Sequence, residues 1–69
     1  MKHSEIIELF GGPAAFEMAL RGEAGNMVAM WKSRGYIPRA HWPEILRLAD
    51  ARGIDCVNLK ALMEGENES

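Results

Sequence analysis

The sequence predicts an all-α domain of four to five helices, and three observations predict it. Apolar residues recur at helical spacing, as at Phe16, Ala19 and Leu20. Glycine or proline stands where such stripes stop. No run of alternating apolar and polar residues is long enough for a sheet. With 69 residues, 48% of them hydrophobic, the chain supports one compact core near the lower size limit for folding without staples. No internal repeat divides it. The reading is one domain over 1–63 and a disordered acidic tail over 64–69.

Each helix has a local reason to start and stop. Ser4 is the expected cap of the first, with Glu5 in its first turn and Ile6, Ile7 and Phe10 on its apolar side. Gly11 and Gly12 break it. Pro13 suits the first position of a second helix, where its missing N–H is no loss, and that helix is read from Pro13 to Arg21. The turn from Arg21 to Gly25 holds two glycines, which permit a positive φ. A third helix is read from Gly25 to Arg34. Gly35 is its expected C-terminal stop, and Lys32 and Arg34 suit the negative end of its dipole. Pro38 disfavours helix at Ile37. The fourth helix begins at Arg39 or Trp42 and ends at Arg52, before Gly53. Pro43 lies in its first turn, and Ile45, Leu46, Leu48 and Ala49 form its apolar face. Asn58 caps a short fifth helix, Leu59 to Met63.

Composition excludes several classes of function. The lone Cys56 allows no internal disulfide and reads as a small, partly buried apolar residue. No apolar run approaches membrane-spanning length, and no signal-peptide pattern opens the chain. His3 and His41 are not in metal-ligand spacing with Cys56 or with a carboxylate. No glycine-rich phosphate loop or nucleophile–base pair is present, and so small a domain has little room for a pocket. The expectation is therefore a non-enzyme without metal, cofactor or small-molecule substrate. The formal charge of −2 is unevenly spread. Residues 21–52 hold Arg21, Lys32, Arg34, Arg39, Arg47 and Arg52 against Glu23, Glu44 and Asp50, a net +3, while both flanks are acidic. Such segregation points to a local anionic partner.

Asn26 to Gly35 is the most informative stretch. A helix there sets Val28 and Trp31 on one face, a turn apart, for burial in the core. Small, flexible and basic residues occupy the rest. The reading helix of a helix-turn-helix protein is built this way, with one face anchored and the other free for a DNA groove. Met27 and Met30 then lie toward the outside. Tyr36 is either a packed connector or a phosphate donor, and Trp42 is core or dimer interface. Arg47 and Arg52 read as a solvated face.

The residues Phe10-Gly11-Gly12-Pro13-Ala14-Ala15-Phe16, then Val28 to Pro38, then His41-Trp42-Pro43 resemble the small Cro/CI-type phage regulators. These are lambda-repressor-like helix-turn-helix proteins, and the resemblance covers about residues 4–63. It implies an all-α homodimer that binds short inverted repeats in double-stranded operator DNA, in the cytoplasm of a bacterium or encoded by a phage. By position, the resemblance places Gly25, Asn26, Met27, Ala29 and Met30 at the base edges. Asn26 is suited to an adenine or a phosphate, and Ala29 and the methionines to thymine methyls or sugars. Lys32, Ser33, Arg34, Arg39 and Arg21 would face the phosphate backbone. Leu59, Leu62 and Met63 exceed what the edge of a small core needs and are expected at the dimer interface.

The chain departs from that pattern at three places. Glu17 stands where the family usually has alanine. The turn has Arg21 before Gly22, one residue longer than usual. Glu23, Ala24 and Gly25 occupy the place of a serine or threonine cap on the third helix. Together with the acidic total and the outward methionines, these departures favour an alternative reading. In it the chain is a protein-interaction module, or an antirepressor, that keeps the fold and binds another regulator.

Overall fold

The carboxylate of Glu5 turns back and accepts the Lys2 N–H at 2.9 Å, which satisfies one of the donors that a helix start leaves open. The first helix, α1 (His3–Leu9), therefore has Lys2 as its N-cap and begins ahead of the Ser4 cap that the sequence suggests. Beyond its end at Leu9 the chain turns at Gly11 and Gly12, whose φ values of +95° and +96° are open to glycine and strained for other residues. Pro13 is the first residue of α2 (Pro13–Arg21). After Gly22 to Asn26 comes α3 (Met27–Arg34), two residues shorter at its start than the pattern predicts. A single 3-10 turn, Arg39–His41, leads into α4 (Trp42–Arg52) with Pro43 in the first turn. Asn58 caps α5 (Leu59–Glu68) through its Oδ1, which accepts the Ala61 N–H at 2.9 Å. This computed structural model describes residues 1–23 and 25–68, and among them there is no strand.

Helix α3 packs on α1 and α2, α4 on α2, and α5 on α1 and α4. The core holds Ile6 and Ile7 from α1, Phe10 just after it, Phe16 from α2, and Val28 and Trp31 from α3. Ile37, Trp42, Ile45, Ala49, Val57 and Leu62 complete it. The rings of Phe10 and Phe16 stack at 4.4 Å across the bend between α1 and α2. Trp42, open in sequence between core and interface, is core.

One polar side chain lies at the centre of this packing. His3 is wholly buried. Its Nδ1 accepts the N–H of Ile37 at 2.7 Å, which leaves the ring proton to Nε2. Nε2 then donates to the carbonyl of Leu62 at 2.7 Å. Trp42 meets the His3 ring edge-on, and its indole N–H donates to the carbonyl of Ile37 at 3.0 Å. Both backbone groups of Ile37, which lies between helices, are thus satisfied by side chains.

Two expectations are corrected here. Residues 64–68 are not a disordered tail: α5 continues through Glu68, and only Ser69 lies outside the described residues. The helix continues because its last turns have partners. Gly65 is buried, lying against the His3 ring and the Met1 carbonyl, and Glu66 pairs with Arg39. Leu62 is wholly buried among the core residues and is not available to a dimer interface.

Gly65 provides a test of this packing. In an exposed helix, alanine is favoured over glycine by about 1 kcal/mol. Here a Cβ would overlap the Met1 carbonyl and the His3 ring. Overpacking of this kind costs about 1–3 kcal/mol, so crowding outweighs propensity. Gly65→Ala is expected to lower the thermal midpoint, and a raised midpoint would refute the close approach.

Candidate functional site

The third helix divides cleanly into two faces. Val28 is 0% and Trp31 5% exposed, and both point into the core. Asn26, Ala29, Met30 and Ser33 recur at helical spacing and are all exposed, as are Lys32 and Arg34. Met27 is half-buried and packs against the core, so only part of it reaches the outer face. Gly25 lies just before the helix and is exposed. Tyr36 is exposed beyond the helix's C-terminal end. The structure therefore brings the base-facing candidates Asn26, Ala29 and Met30 together on one surface, with Ser33 and Arg34 further along it.

The start of α3 is held in an unusual way. Asn26 precedes the helix and makes no capping bond with its side chain. The cap comes from α2 instead. Glu17 is wholly buried, and its Oε1 accepts the N–H of Val28 at 3.0 Å. Its Oε2 accepts from the Arg21 guanidinium at 3.2 Å. A carboxylate is favoured at that place, because the first turn of a helix presents unpaired N–H groups and the positive end of its dipole. Glu17 and the lack of a serine or threonine cap, two separate departures in sequence, compensate each other in space.

Most of the cations expected to face phosphate already have acidic partners. Arg21 bridges Glu17 and Glu23, the latter at 3.0 Å. Lys32 pairs with Glu8 of α1. Arg39 makes a two-point contact with Glu66, with its Nε 3.0 Å and a terminal nitrogen 2.6 Å from the carboxylate, and lies over the Trp42 ring. Arg34 makes no ion pair among the described residues. The sequence offered no signal for Glu8 or Glu66, which lie 24 and 27 positions from their partners. The Glu17–Arg21 pair is different: its i,i+4 spacing is visible in the sequence.

On α5, Leu59 and Met63 are exposed one turn apart. Nearby, Met1, Cys56, Asn58, Lys60, Ala61 and Glu64 line a shallow groove of about 250 Å³. Among the described residues no group of three His, Cys, Asp or Glu side chains is arranged to hold a metal. No described helix is long and apolar enough to cross a membrane. Comparison of the chain with protein-family models, curated proteins and solved structures gives no match.

The Arg39–Glu66 pair has a pH signature. The hydrogen bond from Arg39 holds the Glu66 carboxyl below its ordinary value, against partial desolvation, and the charge of Arg39 adds to the effect. The Arg39 guanidinium is raised in turn, first by that hydrogen bond and then by the carboxylate charge. A lowered carboxyl contributes stability above the ordinary carboxylate range and loses it as pH falls through its folded value. Solvent keeps this contribution small. In an NMR titration, Glu66 is expected to have a midpoint below that of an ordinary glutamate and to return toward it in Arg39→Ala. An unchanged midpoint in that variant would show that the pair does not form in solution.

Proposed function

We propose that the chain is a DNA-binding transcriptional regulator in which α2 and α3 act as a helix-turn-helix and α3 enters the major groove. The observation that carries this reading is the division of α3. Its inner face is fixed by Val28, Trp31 and the Glu17 cap, while Asn26, Ala29, Met30 and Ser33 are left uncovered by the rest of the chain. Asn26 is suited to hydrogen-bond a base edge, and Ala29 and Met30 to pack on thymine methyls. Lys32 and Arg34 are assigned to phosphate, with Arg21 and Arg39 in support.

This reading sets the strength of the electrostatics. Exposed ion pairs contribute little, so a phosphate can displace Glu8 from Lys32 or Glu66 from Arg39. The released carboxylates still lie beside the DNA and repel it. Salt dependence is therefore modest. A homodimer through the exposed Leu59 and Met63 would set two copies of α3 roughly 34 Å apart, one helical turn of DNA. Such a protein would work in the cytoplasm, in a bacterium or under phage control.

A second reading is favoured by a specific observation. Three of the four basic candidates are paired with acids, and the outer face carries exposed Met30 and Tyr36. A neutral, adaptable face of this kind suits a protein partner such as another regulator. Binding to DNA from upstream of the chain's own reading frame, at two salt concentrations, separates the two. The first reading expects saturable binding that weakens with salt and is lost on a scrambled duplex. No binding at low salt would move the assignment to a protein partner.

Two variants refine the test. Lys32→Ala combined with Arg34→Ala is expected to weaken binding and to flatten the salt slope by about two phosphate contacts. Glu8→Gln is expected to act in the opposite direction. It frees Lys32, tightens binding at low salt and steepens the slope by up to about one contact. Unchanged affinity and slope in both variants would rule out α3 as the phosphate-facing helix.

A further inference from the structure

We infer that Glu17 is a positioning residue for α3 and that, with Gly25, it forms one unit that sets the pose of the outer face. The inference rests on the DNA-binding reading and adds to it the residue pair on which specificity depends.

An ordinary serine or threonine cap bonds within its own short segment. It starts a helix but leaves the orientation of that helix to side-chain packing. Glu17 caps α3 from 11 positions away in sequence, from the body of α2. The same hydrogen bond that satisfies the Val28 N–H therefore also fixes the first turn of α3 against α2. A buried carboxylate is costly unless its oxygens are satisfied, and here each is taken, one by Val28 and the other by Arg21.

Gly25 is the counterpart of this arrangement. Its φ is not in the positive range where glycine is needed for backbone reasons. It is held to glycine by space instead. A Cβ at that position would overlap Oε2 of Glu17 and lie 3.7 Å from the Arg21 guanidinium. A side chain there requires the Glu17 carboxylate or the Gly25 backbone to shift, and either shift disturbs the contact between α2 and the start of α3. Asn26 follows Gly25 directly, and Ala29 lies one turn further on, so a shift of the carboxylate moves the residues assigned to base edges.

The test compares Glu17→Ala, Glu17→Gln, Gly25→Ala and the Glu17→Ala/Gly25→Ala double variant. The DNA probes are the duplex from upstream of the chain's own reading frame and a scrambled duplex. Loss of a cap corresponds to about fivefold in an equilibrium constant. Glu17→Ala and Gly25→Ala are each expected to lower the ratio of specific to scrambled affinity by at least about that factor. Binding to the scrambled duplex, carried by Lys32 and Arg34, does not weaken, and in Glu17→Ala it tightens slightly because Arg21 loses one acidic partner. Glu17→Gln, which keeps an oxygen for Val28, retains most of the ratio. In the double variant, Gly25→Ala adds no further loss, because the carboxylate it would crowd is gone.

Hydrogen exchange at the Val28 amide is a second readout. Protection is expected to fall in Glu17→Ala and Gly25→Ala and to persist in Glu17→Gln. An unchanged affinity ratio with a protected Val28 amide in Glu17→Ala would overturn the inference. If Glu17→Ala does not fold, Gly25→Ala decides it by the same two readouts. If the wild type binds no DNA, the proposed function fails. The Val28 amide then decides the positioning role alone, with loss of protection supporting it and retention overturning it.

Discussion

The buried imidazole of His3 is the constraint on which the rest of the packing depends. It joins the first turn of the chain to Ile37, in the irregular segment between α3 and α4, and to Leu62 in α5. The connector has backbone groups with no helical partner. A purely apolar residue at position 3 would fill the space but leave the Ile37 N–H buried and unpaired, which costs about 1–3 kcal/mol. The imidazole fits because its two ring nitrogens, one donor and one acceptor, match a carbonyl on one side and an N–H on the other. The edge-on contact with Trp42 completes the arrangement, since the indole N–H takes the remaining backbone group of Ile37.

Glu17 follows the same logic in the other half of the molecule. Both buried polar residues join segments that lie far apart in sequence, and both are fully bonded. Among the described residues, no buried side-chain nitrogen or oxygen lacks a partner. Apolar burial is non-directional, so it determines that α2 and α3 pack but not at what offset. Directional hydrogen bonds to Ile37, Leu62 and Val28 supply the register that a small core specifies poorly. A domain with few core residues gains order by placing its polar groups at the joints between elements.

The same division explains what the sequence could reveal. The helix ends at Pro13, Gly35, Gly53 and Asn58 were legible because each depends on one residue and its immediate neighbours. The inward face of α3 was legible because Val28 and Trp31 repeat at helical spacing. The cap on α3 was not, since its donor and acceptor lie on different helices. The helical course of residues 64–68 was obscured by composition: an acidic, glycine-containing end reads as a tail when considered alone. Its order depends on His3 at the other end of the chain and on Arg39, neither of which is near in sequence. Leu62 was misplaced for the same reason, because the neighbours that bury it come from distant elements.

Charge placement links these structural ties to the surface of α3. A helix end is negative, so the carboxylates of Glu64 and Glu66 are unfavourable on α5 in isolation. Arg39 offsets part of that repulsion through its two-point contact with Glu66. Lys32, at the end of α3, likewise holds Glu8 of α1. The acidic flanks seen in the sequence are thus folded back onto the basic centre, and the apparent positive segment is largely neutralised within the molecule. An anion that docks at Lys32 of α3 must compete with the Glu8 carboxylate already in place, and it gains only the difference between two partners for the same cation. That difference is small for a lone phosphate at an exposed pair and grows when several cations are engaged together. The fold therefore disfavours casual attraction to polyanions. Asn26, Ala29 and Met30 present an exposed, uncharged stretch along α3.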